Sequence, residues 1–228
     1  MSSKSLLITK FLKTELHNKH IGDFTTELAH VRQLRFIEER YFELFLIDTE
    51  GRRSVRPVIR GIYFAGRGRW VKPWLEISYL PLVRFKHRFN RTHEIDIADS
   101  EYEERLLRLV ADMLPPGGRL MVEYSAKDHP ETVKALEAGA PPVLTKLGYL
   151  LWKTGFTSFK DWYFAEGWME GNTKLQGEKP LDDASQARQL KKLISEVKKF
   201  AEGDRKVEGL AVHPKHMYEE LLQKEKPA

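Results

Sequence analysis

The stretch Ser100-Glu-Tyr-Glu-Glu-Arg-Leu-Leu-Arg-Leu-Val-Ala-Asp-Met-Leu-Pro-Pro-Gly-Gly-Arg-Leu-Met-Val-Glu-Tyr124 decides the fold. It begins with a serine followed three residues later by a glutamate, the capping-box pattern of a helix start. Leucines and valines at helical spacing follow, and two prolines with two glycines end the helix. Residues 119–124 are then mostly apolar, which is typical of a buried parallel strand. We therefore expect a helix that leads into a parallel strand.

An antiparallel meander of three strands is predicted before this helix. Residues 40–48 and 55–64 are rich in aromatic and β-branched side chains, and Thr49-Glu50-Gly51 separates them as a turn. A third strand at residues 74–80 follows the Gly66-Arg-Gly68 turn. Upstream, the spacing of apolar residues predicts one helix over residues 5–15 and another over residues 24–37.

The chain after Tyr124 alternates between helices and strands. We expect a helix from Asp128 to about Gly139, a helix over residues 143–153, and a strand pair at residues 160–165 and 173–178. An aspartate at 182 or 183 then begins an amphipathic helix, which a shorter helix follows. The apolar face of the amphipathic helix carries Leu190, Leu193, Ile194 and Val197.

These elements predict an α+β fold, an α/β sandwich with a mixed central sheet of about six to seven strands. The antiparallel meander is followed by a β-α-β-α-β-β order, with helices on both faces and a C-terminal helical extension. We expect the main domain to cover residues 1–180. Residues 181–228 would form the extension, packed on the same domain.

Composition excludes several classes of protein. The 228 residues are 41% hydrophobic and 31% charged, as in globular proteins. No apolar run is long enough for a transmembrane helix, and the N-terminus lacks the apolar core of a signal peptide, so we expect a cytoplasmic protein with no membrane partner. The absence of cysteine excludes disulfides, thiolate metal sites and cysteine nucleophiles. Few asparagines beside many lysines, arginines and glutamates are typical of heat-adapted proteins.

The order of elements resembles that of the acyl-CoA N-acyltransferases, the GNAT superfamily. The best local match is Leu150-Leu-Trp-Lys-Thr-Gly155-Phe156, which resembles the helix end Tyr-x-x-x-Gly-Phe of that family. The resemblance implies acetyl-CoA or another acyl-CoA as cofactor and a small-molecule or peptide amine as substrate, in a monomer or homodimer. The whole chain is also similar to an uncharacterised archaeal family known only as a domain of unknown function.

Two departures from the acyltransferase pattern leave the activity open. The family binds the pyrophosphate of coenzyme A with a glycine-rich loop, whereas residues 84–100 contain no glycine. In place of the glycine-rich loop, basic side chains of residues 84–100 could bind the phosphates of coenzyme A. Leu151 stands where the family has the tyrosine that protonates the leaving thiolate. The predicted cofactor-binding residues are Leu80, Leu82, Arg84, Lys86, Arg88 and Arg91.

Candidate catalytic residues lie where the third meander strand and the strand of residues 119–124 end, because open α/β sheets bind ligands beyond the carboxyl ends of parallel strands. Glu76 and Glu123 are candidates for the general base, and the alternative is that they face solvent or pair with arginines. Tyr124 and His129 close the same end, and His129 is a candidate proton shuttle. Tyr149 is a candidate for the missing acid, although packing is an equally natural role.

Two other functions compete with acyl transfer. Arginines between residues 52 and 69 alternate with Tyr63, Phe64, Trp70 and Trp74, a combination that binds RNA or another polyanion through charge and stacking. The alternative is a solvated hairpin with its aromatic rings in the core. Residues 115–124 also resemble a late strand of S-adenosylmethionine-dependent methyltransferases, but no Gly-x-Gly-x-Gly loop accompanies them. We predict no metal, because the spacing of His87, His93, Glu94 and Asp96 matches no known metal site.

Overall fold

The computed structural model describes residues 3–68, 71–78, 86–88, 94–96, 100–125, 130–163, 172–203 and 207–225. Within these ranges the helices are α1 (Ser3–Leu16), α2 (Ser100–Asp112), α3 (Pro130–Glu137), α4 (Lys146–Lys153), α5 (Asp183–Glu202) and α6 (Pro214–Glu225). The strands are β1 (His20–Ile21), β2 (Phe24–Gln33), β3 (Glu39–Ile47), β4 (Ile59–Phe64), β5 (Trp74–Ser78), β6 (Lys86–Arg88), β7 (Glu94–Asp96), β8 (Arg119–Ser125), β9 (Ser158–Tyr163) and β10 (Asn172–Glu178).

Two compact units divide the chain: the first comprises residues 1–115 and 119–123, and the second comprises residues 116–118 and 124–228. In the first unit, six strands form one mixed, mostly antiparallel sheet and β6 pairs with β7 as a separate ribbon. In the second unit, β9 pairs with β10 in antiparallel orientation. The predicted α+β class is therefore confirmed. The predicted division after residue 180 stays a prediction. None of the described helices combines the length and the apolar character needed to cross a lipid bilayer.

The first unit is built on the strand order β1-β2-β3-β4-β5-β8. Every neighbouring pair is antiparallel except β5 and β8, which are parallel. One face of the sheet is apolar and buried, as Phe42, Leu44 and Leu46 of β3 show. The alternate residues Tyr41 and Glu43 lie on the opposite, half-exposed face, as the two-residue period of a strand requires.

Buried polar contacts fasten the N-terminal helix to the sheet. The guanidinium group of Arg40 is only 1% exposed. Its Nη2 donates to the carbonyl oxygen of Ser5 at 3.0 Å and to Ser5 Oγ at 2.6 Å, and its Nη1 donates to the carbonyl oxygens of Ile37 and Glu39 at 2.7 and 2.6 Å. These bonds satisfy a charged group that burial would otherwise strongly destabilise.

The predicted helix over residues 24–37 is wrong, because Phe24–Gln33 forms strand β2. Phe24, Leu28 and Val31 are spaced as on one face of a helix, which led to the incorrect prediction. A bulge between Ala29 and Arg32 explains this spacing: the extra residue breaks the two-residue alternation of the strand. The described antiparallel meander therefore contains five strands, β1 to β5, and not three.

The second unit has its own hydrophobic core. This core joins the 3₁₀ helix Pro142–Leu144 and α4 to α5 and α6. Asp182 begins α5 as predicted, since its side chain accepts a hydrogen bond from the amide of Ser185 at 2.7 Å. The buried residues of the core are Val143, Leu144, Trp152, Leu190, Leu193, Val197, Val212, Met217 and Leu221.

Candidate functional site

The two predicted general bases lie on one face of the sheet in the first unit. In the parallel pair, Glu76 of β5 is opposite Met121 of β8, and Ser78 is opposite Glu123. Directly paired residues point to the same face, as do residues two apart along a strand. Glu76 and Glu123 therefore share a face, and both side chains are half-buried. Their role as general bases stays a prediction.

Three of the remaining predicted site residues lie on described strands. Tyr124 belongs to β8, and Lys86 and Arg88 belong to β6. The antiparallel register of the ribbon aligns Lys86 with Asp96 and Arg88 with Glu94, so basic positions of the predicted cofactor loop face acidic positions. The residues that lie outside the described ranges are Leu80, Leu82, Arg84, Arg91 and His129.

The helix that resembles the acyltransferase motif ends as predicted. Gly155 has φ +96°, a conformation that favours glycine, and Phe156 after it is fully buried. Leu151 is also fully buried and acts as a core residue. The hydroxyl of Tyr149 donates to Glu220 Oε1 at 2.9 Å and so joins α4 to α6. This contact assigns Tyr149 to packing within the second unit.

The hairpin of residues 52–69 was a candidate for polyanion binding. Most of its described arginines form ion pairs with carboxylates of the same unit. The N···O separations range from 2.7 to 3.4 Å. Of the described aromatic residues, Tyr63 and Phe64 are buried and Trp74 stacks on Phe64, while Trp70 lies outside the described residues. These contacts support the interpretation as a hairpin with its rings in the core. The pairs are Arg52 with Asp48, Arg53 with Glu27, Arg60 with Glu43 and Arg67 with Glu38.

A polar cluster on the half-exposed face was missed by the sequence analysis. The hydroxyl of Tyr41 donates to Glu43 Oε1 at 2.6 Å, while Arg60 Nε lies 3.4 Å from the same oxygen. His30 Nε2 lies 3.7 Å from Glu43 Oε2. Burial raises the pKa of Tyr41, and the hydrogen bond to Glu43 raises it further. The cluster borders an open groove of about 430 Å³, lined by His30, Val31, Arg32, Tyr41 and Glu43.

One signal in the sequence pointed to part of this cluster. The alternation of residues 40–47 separates Tyr41 and Glu43 from the apolar Phe42 and Leu44, which places both polar residues on one face. No comparable signal existed for His30, since its position depends on the bulge in β2.

A second depression, of about 650 Å³, belongs to the second unit. Its described lining combines apolar residues around the 3₁₀ helix with charged residues of β9 and α5, and it contains none of the predicted site residues. The charged members are Asp161, Glu196 and Lys199.

Comparison with known proteins gives a fold and a family but no activity. No curated protein matches the chain. The crystal structure of a protein of unknown function from the bacterium Aquifex aeolicus is similar, with 25% identity and a TM-score of 0.65 over 96% of each chain. The archaeal affiliation expected from the sequence stays a prediction. A family model described as "Protein of unknown function (DUF1122)" matches residues 22–208. The chain therefore belongs to the DUF1122 family, whose function is unknown, as the resemblance to an uncharacterised family indicated.

Proposed function

We propose that this protein is an acyl-CoA-dependent N-acyltransferase whose acceptor amine binds at the Glu76–Glu123 face. The observation that carries the proposal is the register of β5 and β8, by which two half-buried carboxylates share a face of a parallel strand pair. Both strands run in the same direction, so Ser78 and Glu123 lie toward the same, carboxyl end. Ligands of open α/β sheets bind beyond such ends.

The order of elements around this pair gives the proposal further support. An antiparallel meander leads into β5, α2 intervenes before the parallel strand β8, and α4 ends in Gly155-Phe156 before β9. This is the order that the resemblance to the acyltransferases implies. A fold hosts many activities, so the carboxylates, and not the fold, have to carry the chemistry.

The proposed reaction transfers an acyl group from sulfur to nitrogen. The lone pair of a neutral amine attacks the thioester carbonyl carbon, a C–N bond forms, and the C–S bond breaks with its electron pair on sulfur. The proton released from the amine passes to a carboxylate, a transfer that accelerates reactions by about 10²- to 10⁴-fold. In this proposal either Glu76 or Glu123 accepts the proton, and the thiolate is reprotonated from solvent.

Coenzyme A would be held by side chains, since the interval between β5 and α2 lacks glycine. A guanidinium group can donate two parallel hydrogen bonds to the oxygens of one phosphate. In this proposal the positive charge that holds the pyrophosphate comes from Arg84, Lys86, Arg88 and Arg91. Leu80 and Leu82, which follow β5, are proposed to contact the pantetheine arm of the cofactor.

Release of free coenzyme A tests the proposal. A thiol reagent detects only the product, because the protein has no cysteine. We expect acetyl-CoA-dependent thiol release with at least one class of amine, and a fall in kcat of about 100-fold or more for Glu76→Gln or Glu123→Gln. Glu219→Gln is the matched control, since Glu219 is exposed on α6. Amine-dependent release that neither glutamine variant slows would remove these carboxylates from the reaction.

A further inference from the structure

The groove beside Tyr41 contains an arginine that differs from those paired with carboxylates. The guanidinium carbon of Arg32 lies 4.7 Å from the centre of the Tyr41 ring, a cation–π contact. Among the residues that the structure describes, none places a carboxylate within ion-pair distance of Arg32. Arg32 therefore contacts an aromatic ring and lines an open groove, whereas Arg52 and Arg67 pair with carboxylates.

Backbone geometry sets the shape of this groove. His30 has φ +53°, a left-handed conformation that non-glycine residues rarely adopt. It lies in the bulge between Ala29 and Arg32, where β2 carries one residue more than β3. Strained residues of this kind persist when the surrounding structure holds them, and they concentrate at binding sites.

The charges of the groove favour a ligand with one negative charge. The described lining carries one arginine, Arg32, and one carboxylate, Glu43. Arg60 beside the groove pairs with Glu43, so the positive charge of Arg32 is left to attract the ligand. A carboxylate matches the planar fork of a guanidinium group.

The groove and the proposed catalytic carboxylates lie on the same face. Tyr41 pairs with Ile62 of β4, and Ile62 pairs with Glu76 of β5. Two strand spacings therefore separate Tyr41 from Glu76, which is about 10 Å. An extended peptide spans roughly 3.3 to 3.6 Å per residue, so about three residues cover this distance.

We infer that the acceptor is a short peptide, or an amine of similar length, whose terminal carboxylate binds to Arg32 in the groove while its amine reaches Glu76 and Glu123. This inference rests on the proposed function for the role of the amine end. The binding of the terminal carboxylate to Arg32 is inferred from the geometry of the groove alone, and this binding can be tested without coenzyme A.

The test compares trialanine with its C-terminal amide by calorimetric titration of the full chain. We expect the wild type to bind the acid more tightly than the amide. Arg32→Gln should weaken binding of the acid by about tenfold or more, the loss expected for a charged hydrogen bond, and abolish the preference. Arg56→Gln, which removes the same charge from an exposed site outside the groove, should change binding by less than about twofold. Because Arg32 is exposed, thermal melts of the variant should match the wild type.

Each outcome decides one part of the inference. Equal binding of acid and amide, or equal losses in Arg32→Gln and Arg56→Gln, would overturn the carboxylate site. Inorganic phosphate that displaces trialanine at a lower concentration than acetate does would overturn the choice of a carboxylate. A preference for the acid without thiol release from acetyl-CoA would keep the carboxylate site and overturn its assignment to an acyl acceptor. Thiol release from amines with no effect of Arg32→Gln would contradict the inference alone and leave the proposed function intact.

Discussion

Arg40 connects the N-terminal helix to the sheet through a buried charge. Its guanidinium group donates to oxygens of Ser5, Ile37 and Glu39, so one side chain satisfies backbone groups from both α1 and the start of β3. Sequence analysis placed Arg40 at the start of a strand but not in the core, because a charged residue is expected inside only when its partners are known. Of these partners, Ile37 and Glu39 are close in the sequence, whereas Ser5 of α1 is distant and is brought near only by the fold.

Replacing Arg40 with methionine tests this connection. Arg40→Met keeps the length of the side chain but leaves buried oxygens without donors, so we expect the free energy of unfolding to fall by about 3 kcal/mol or more. Chemical denaturation measures the change. Arg35→Met, at an exposed position, is the control and should stay within about 0.5 kcal/mol of wild type. Equal effects of the two substitutions would show that Arg40 does not stabilise the contact between α1 and β3.

Glu38 gives the stability of the first unit a dependence on acid. Lys4 Nζ and Arg67 Nη2 donate to its carboxylate at 2.9 and 3.0 Å, and these bonds lower the pKa of Glu38 from 4.5 to about 2. Because the pKa is lower in the folded protein, ionised Glu38 stabilises the fold above about pH 4.5. This contribution is lost as the pH falls from 4.5 toward 2.

The comparison of wild type with Glu38→Gln isolates this effect. We expect the variant to have a lower Tm at neutral pH, and the difference in Tm to shrink as the pH falls below 4.5. Thermal melts between neutral pH and pH 2.5 measure it. A difference that stays constant over this interval would mean that ionisation of Glu38 does not stabilise the folded state.

At the scale of elements, local patterns predicted regular strands and helices well and failed at the irregular strand. Helix α2, strand β8 and the start of α5 follow from caps, stop signals and spacing that lie within a few residues of one another. Strand β2 does not, because its pairing with β3 and its bulge decide its conformation. The same bulge explains why the groove beside His30 was not predicted from the sequence.

The contact between β3 and β4 requires a glycine. Gly61 pairs directly with Phe42, and a Cβ atom on residue 61 would lie 2.5 Å from the ring carbon Cζ of Phe42. Phe42 is fully buried and cannot move aside easily. We expect Gly61→Ala to lower the free energy of unfolding by about 1 to 3 kcal/mol, as overpacked cores do. The double variant with Phe42→Leu should lose less stability than the sum of the single variants, and strict additivity would contradict this steric account.

For the whole molecule, the proposals depend on one arrangement in the first unit. A parallel strand pair carries Glu76 and Glu123, and the same face continues across β4 and β3 to a groove with an oriented arginine. The net charge of +5 is compatible with anionic ligands such as coenzyme A or a carboxylate, but it does not distinguish between them. Membership of a family of unknown function supplies no reaction, so acyl transfer has to be established on this protein directly.

Calorimetric titration of the protein with acetyl-CoA is the most direct measurement. We expect saturable binding that Arg84→Glu combined with Arg88→Glu weakens by at least about tenfold, since each substitution replaces an attraction for phosphate with a repulsion. Arg188→Glu combined with Lys191→Glu makes the same charge change on the exposed face of α5 and should leave binding unchanged. The absence of both binding heat and a thermal shift at millimolar acetyl-CoA would contradict the account.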